Sequence, residues 1–170
     1  MPPEAWLSGP IEGIPPLLMP VAHALVQARR ELEVVRGLSA DDLWARPGDA
    51  ASVGFHLRHI PGVIDRLLTY ADERGLSEEQ MAYLRAEGDP APPLPDAAEL
   101  LLAVDAAVER ALAATASVEE RELLGARTVG RAALPTNLLG LLFHIADHVQ
   151  RHAGQVVTTV KVVCPARRSS

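Results

Sequence analysis

The sequence predicts an all-α domain built as a four-helix bundle, with short accessory helices between the long ones. Three observations predict it. Four long stretches carry apolar residues at alternating steps of three and four, the period of one helical face. Capping residues, Gly or Pro bound each stretch. No pair of alternating, strand-like segments stands out elsewhere, and no repeat or low-complexity tract interrupts the pattern.

The first helix follows Pro20, because Pro15, Pro16 and Pro20 exclude a long helix before it while Pro is tolerated in a first turn. Val21, Leu25, Ala28, Leu32 and Val35 form its buried face, and Gly37 ends it. Ser39 caps one short turn that reaches Trp44, and 46–49 is a loop. A second long helix opens at Ser52 and runs to about Asp72, with Val53, Leu57, Ile60, Ile64 and Leu67 as its stripe. Pro61 inside it predicts a kink, since an interior proline removes a hydrogen bond and clashes with the preceding turn. Ser77-Glu-Glu-Gln is a capping box for a shorter helix through Leu84. Residues 87–96 hold four prolines and read as a semi-rigid connector. The third long helix runs from Asp96 to about Ala116, and 117–134 reads as a short helix and an irregular crossing. The last helix is capped by Thr136 or Asn137 and continues to about Val163. Its steady helical period outweighs the β propensity of the run VVTTVKVV. The final ARRSS reads as a frayed tail.

Composition narrows the function. The length, 170 residues, is close to the roughly 150 of one domain and can bury a core without staples. A net charge of −6, with Lys161 the only lysine, argues against a nucleic-acid surface. A single cysteine, Cys164, excludes an intrachain disulfide and any CxxC metal site. No run of eighteen apolar residues predicts a membrane span, and the first residues lack the basic and apolar regions of a signal peptide, so a cytoplasmic protein is expected.

One count is unusual. Of six histidines, five fall in two windows: His56 and His59, then His144, His148 and His152. Imidazoles four residues apart on a helix project from one face and can chelate one ion. His148 and His152 are the pair nearest the apolar stripe, and His144 lies farther toward solvent. The spacing of H148-V-Q-R-H152 matches a zincin motif, but Val149 stands where the glutamate base belongs, so that chemistry is not supported. A third ligand comes from His56 or His59. Periodicity places His56 nearer the centre of its stripe and slightly prefers it. Three histidines leave an open position, the catalytic arrangement for zinc. The bland alternative is a set of core-edge and surface imidazoles.

The segment S52-V-G-F-H-L-R-H59-I60, followed by H148-V-Q-R-H152-A-G154-Q155, resembles the DinB/YfiT-like superfamily of metalloenzymes. In that family a Ser-Val/Ile-Gly opening leads to a ligand histidine, and H-x-x-x-H-x-G-Q closes the site. The resemblance implies a single domain over residues 14–163, with 1–13 and 164–170 as tails, and up-down-down-up connectivity. It implies one divalent metal ion, zinc or nickel, held by His59, His148 and His152, with His56, His144, Arg151 and Gln155 lining the pocket or supporting the ligands. It also implies a small-molecule substrate, a low-molecular-weight thiol activated for transfer to an electrophile, and a homodimer. Beyond a metal-bound water or thiol, no catalytic group is named. A metal-dependent hydrolase and a non-catalytic metal-binding module are the alternatives. Asp147 is a further candidate orienting group, although it falls on the polar side. Asp65 and Arg66 read as surface charge pairs, His23 as a surface residue. Cys164 reads as an ordinary thiol about 18 Å beyond His152 at 1.5 Å per residue.

Overall fold

In the computed structural model, which describes residues 3–164, six α-helices follow in chain order: α1 (Met19–Leu32), α2 (Ala40–Trp44), α3 (Val53–Ala71), α4 (Glu78–Ala86), α5 (Ala97–Ser117) and α6 (Leu138–Val163). The caps explain where they begin. Ser39, Ser52, Ser77, Asp96 and Asn137 each accept a hydrogen bond from a backbone N–H of the first turn, and Ser77 and Asp96 complete reciprocal capping boxes with Gln80 and Glu99. A tighter turn, Glu33–Val35, continues α1 until Gly37 ends it at a φ of 72°.

The four long helices form the bundle. α6 packs against α1 and α3, and α5 packs against α3 and α1, so α1 and α3 lie on a diagonal. Their directions follow from end-to-end contacts. Trp44 sits over Gly54 in the first turn of α3 and donates through Nε1 to Pro95 O (3.3 Å) just before α5, so α3 and α5 start at the same end. At the far end Leu68, Ala71, Ala114 and Ser117 share a cleft with Leu138 and Leu142, where α6 begins and runs back. Arg29 pairs with Glu109 while Arg36, farther along, feels Asp105, so α1 opposes α5. The connectivity is up-down-down-up. Leu25, Leu32, Leu57, Ile60, Ile64, Val104, Val108, Leu142, Ile145 and Val149 are buried between these helices. Their periodic spacing turns sequence into one apolar core.

Two local expectations change. The irregular crossing expected within 117–134 contains a strand: β1 (Ala126–Val129) pairs antiparallel with β2 (Leu134–Asn137), Thr128 opposite Pro135. The chain reverses within 130–133, with Gly130 at φ 70° and Ala133 at φ 48°. Strands of four residues are too short to show a period of two, and Pro135 reads against a strand. It is accommodated because each strand of a two-stranded sheet has a free edge. α3 stays helical through Pro61, with buried side chains on both sides of it, Leu57 and Ile60 before and Ile64 after. Second, Arg66 is buried rather than a surface charge; Glu87, at the start of the proline-rich connector, is buried as well. The expected ARRSS tail lies outside the described residues. Among the described residues, no helix is long and apolar enough to cross a membrane.

Candidate metal centre

α3 and α6 bring the two histidine windows together. Ser52 caps α3 by accepting from Phe55 N (3.1 Å), which fixes where the helix starts and hence which face His56 and His59 present. His56 and His59 are one turn apart on α3, and His148 and His152 one turn apart on α6.

His59, His148 and His152 form one cluster with their ligand atoms within 4.8 Å of each other. His59 Nε2 lies 2.9 Å from His148 Nε2, and His152 Nε2 lies 3.1 Å from the same atom. His56 stands behind this group. It is 5% exposed, and its Nδ1 lies 2.9 Å from His152 Nδ1. Geometry distinguishes the two histidines of α3: His59, on the flank of the stripe, reaches His148 and joins the cluster, whereas the more central His56 is covered and meets His152 from the rear.

The nitrogens facing away from the cluster are each engaged. His59 Nδ1 donates to Glu87 Oε1 (2.9 Å), and Glu87 is held from its other side by Arg66 through Nη2 to Oε1 (3.2 Å) and Nη1 to Oε2 (3.3 Å). The His152 Nδ1 partner is His56. Arg151 Nη2 donates to His148 Nδ1 (2.7 Å). Because a guanidinium only donates, His148 Nδ1 accepts here, and its Nε2 carries the hydrogen that points at His59 Nε2.

Burial sets the charge of the cluster. It lowers the pKa of His56 to about 4, aided by His59. Burial, then Arg151 and the neighbouring histidines, lowers His148 to about 4. Burial and the three facing imidazoles lower His152 to about 3. These rings are neutral at pH 7, the form that ligates a metal. Burial pushes the Glu87 carboxyl up, but hydrogen bonds from His59 and Arg66 outweigh it, and the net direction is down.

The donor set fits a divalent ion. Three imidazole nitrogens at about 2.0–2.1 Å from one zinc ion stand about 3.3 Å apart when tetrahedral. The two separations from His148, 2.9 and 3.1 Å, need only a few tenths of an ångström of opening, and His59 and His152 offer ligand atoms within 4.8 Å of one another.

The remaining candidates divide. His56, Arg151 and Gln155 line a cleft of about 400 Å³ together with Ala50, Ala51, Gly154, Thr158 and Thr159. His144 is exposed, its ring edge against His148 with centroids 5.3 Å apart and its Nδ1 3.9 Å from Asp147. Asp147 therefore stands beside His144, and its charge also acts on His148. His23 Nε2 meets Gly9 O (2.8 Å) at the surface. Cys164 Sγ meets Asp42 (3.8 Å) at the end of α6. Glu87 was missed by sequence reasoning because a lone acid opening a proline-rich connector resembles a solvated loop residue. The capping box at Ser77, which sets α4 and delivers Glu87 at its end, was the available signal.

The family model of the DinB superfamily matches residues 24–156, more than half of the chain and a span that includes both histidine windows. The chain belongs to the DinB superfamily. No curated protein matches it. A metal-binding site of DinB type is thus supported by two independent findings, the family match and the three-histidine cluster.

Proposed function

We propose that this DinB-superfamily chain is a metal-dependent enzyme that holds one zinc or nickel ion through His59, His148 and His152 and transfers a low-molecular-weight thiol to an electrophilic small molecule. The observation that carries the reading is the convergence of three imidazole nitrogens, with His56, which meets His152 from behind, and Arg151 lining a neighbouring cleft. When bound, the divalent ion supplies Lewis acidity that lowers the pKa of a thiol or water in the open position.

The chain's own residues supply the rest. Burial keeps His148 and His152 unprotonated and available at neutral pH. Arg151, Gln155 and Thr158 offer hydrogen-bond donors along the cleft for the polar part of a substrate. Arg151 has to leave His148 Nδ1 for the Nε2 lone pair to face the ion, which frees the guanidinium for an anionic group at the cleft's edge. The reacting sulfur arrives with the cosubstrate, since Cys164 sits at the far end of α6. In the transfer, the thiol gives up its proton to solvent and sulfur's electron pair forms the new C–S bond. The leaving group departs with the electron pair of the bond that breaks.

Metal analysis and a thiol-transfer assay test the proposal. The purified chain should carry about one ion, and His148→Ala should carry almost none. The loaded protein should accelerate addition of a small thiol to an aryl halide, with the chelated protein as control. Equal metal content in the two proteins refutes the site. Activity indifferent to chelation refutes the mechanism, and ester hydrolysis without thiol transfer makes the chain a hydrolase instead.

A further inference from the structure

α4 is unusual in that none of its residues is buried. A nine-residue helix without an apolar anchor is held by polar contacts, and here they lead to one place. At its start, Gln80 Nε2 donates to Asp65 Oδ2 and to Thr69 Oγ1 on α3, both at 2.7 Å. At its end, Arg58 of α3 donates through Nη1 to Ala86 O (3.0 Å) and Glu87 O (3.3 Å), satisfying carbonyls that a helix terminus leaves unpaired. Tyr83 hydroxyl donates to Arg58 O (2.7 Å), and the Arg58 guanidinium lies 5.7 Å from the Tyr83 ring centroid.

This clasp carries Glu87 inward, where it is 5% exposed. A carboxylate at that depth costs several kcal/mol unless it is paired and hydrogen-bonded. It is paired with Arg66, itself buried, and its Oε1 also accepts from His59 Nδ1. Gly62 makes the room: a Cβ there would lie 2.8 Å from Glu87 Oε2 and 2.9 Å from Arg66 Nη1.

We infer that Glu87, clamped by Arg66, is the positioning residue of the metal centre: it fixes His59 as the Nδ1–H tautomer with its Nε2 lone pair aimed at the ion. The inference rests on the metal reading above and deepens it. A carboxylate bonded to the far nitrogen of a ligating histidine orients the ring and raises its basicity, and loss of such a partner typically costs 10–100-fold in metal affinity. Neither His148 nor His152 has an equivalent partner, because Arg151 only donates and His56 is an imidazole. The orientation of the site therefore depends on a residue outside the triad, brought in by a helix held to α3 by the hydrogen bonds of Gln80, Tyr83 and Arg58 and by the Tyr83 ring over Gly62.

Two measurements test this. The first is zinc affinity by chelator competition in wild type, Glu87→Gln and the paired variant Arg66→Met/Glu87→Met. The paired variant removes both buried charges together, so the fold is not left with an unpaired ion. It should bind zinc 10–100-fold more weakly while its metal-free melting temperature is retained. Glu87→Gln, which keeps an acceptor oxygen, should lose less than the paired variant. The second is the histidine tautomer in the metal-free protein, read from nitrogen chemical shifts at neutral pH. His59 should be Nδ1-protonated in wild type and a mixture in the paired variant. If wild type takes up no zinc, the metal reading falls and the inference with it. If wild type takes up zinc and the paired variant matches it within twofold, the inference alone falls. A His59 protonated at Nε2 in wild type overturns it as well.

Discussion

The substitution Gly54→Ala isolates why the motif that opens α3 carries a glycine. Alanine in a helix is ordinarily favoured over glycine by about 0.5–1 kcal/mol. At Gly54 an added Cβ would lie 2.7–2.8 Å from Cε3, Cζ3 and Cδ2 of Trp44. Ordinary carbon contacts stand at about 3.5–4.0 Å, so the indole must retreat by roughly 1 Å. It is not a flexible chain end, because its Nε1 is tied to Pro95 O and its ring packs against the core. Forcing atoms into a packed contact costs about 1–3 kcal/mol. Setting this against the helix gain leaves a net loss of roughly 1–2 kcal/mol. For a chain of this length that lowers the melting temperature by roughly 2–8 °C. Gly154→Ala is the internal control, since a Cβ there meets nothing within 4 Å. It should stabilise by about 0.5–1 kcal/mol, so the same chemical change has opposite signs at two motif glycines. Thermal melts of both variants, with Trp44→Leu/Gly54→Ala completing a double-mutant cycle, provide the assay. If Gly54→Ala melts at or above wild type, or its loss persists when Trp44 is gone, the close approach is not what excludes the side chain.

Other outcomes follow from the same geometry. Zinc at a hundred times its Kd should stabilise wild type by about 2.7 kcal/mol, raising its melting temperature by roughly 5–10 °C, and should leave His148→Ala unmoved. In the chelated protein, His56, His148 and His152 have folded pKa values of about 4, 4 and 3, below the unfolded value of 6.5. The unfolded state therefore takes up protons first: their contribution is full above pH 6.5 and is lost as pH falls through 4 and 3. Melting temperature against pH should show this decline, and His56→Leu should flatten it by up to about 3 kcal/mol. Arg151→Met should tighten zinc binding by about tenfold, because an exposed hydrogen bond from a charged group, about 1.5 kcal/mol, no longer holds His148 in the opposing tautomer. Weaker binding in that variant would contradict the tautomer argument.

The bundle was legible because its information is periodic. Leu57, Ile60 and Ile64, or Leu142, Ile145 and Val149, announce a buried face by spacing alone, and Ser52, Ser77 and Asp96 announce where helices start. The histidine pairs were legible for the same reason, since one turn of helix ties His148 to His152 without reference to the rest of the fold. What spacing could not decide is which of His56 and His59 meets them. Both lie on the inner side of α3, and the outcome depends on how α3 and α6 are set against each other. The hairpin escaped because four-residue strands carry no periodic signal, and Pro135 pointed away from one. Glu87 escaped for a different reason: its burial is created by α4 folding back through the polar contacts of Gln80, Tyr83 and Arg58. The capping box at Ser77 marks where α4 starts, but no stretch of sequence near residue 87 records the partners that receive it, His59 and Arg66.

The placement of charge around the cluster bears on what the site can do. Among the described residues, the one carboxylate hydrogen-bonded to a histidine of the triad is Glu87. It stands behind His59 and is matched by Arg66, so it orients the ring while its charge is already balanced. Asp147 sits against His144 at 3.9 Å and is exposed, and Val149 fills the helix position where a zincin would carry its glutamate. A dication held by three neutral imidazoles in this setting keeps its full charge toward the open position, whereas a carboxylate ligand would cancel part of it. That favours chemistry in which the partner arrives as a weak acid and is used as its anion, and a thiol satisfies both conditions more readily than water because its proton is the easier to remove. It also assigns the chain a division of labour: α3 and α6 provide neutral nitrogen, and the one carboxylate bonded to the triad stays behind the ring it orients.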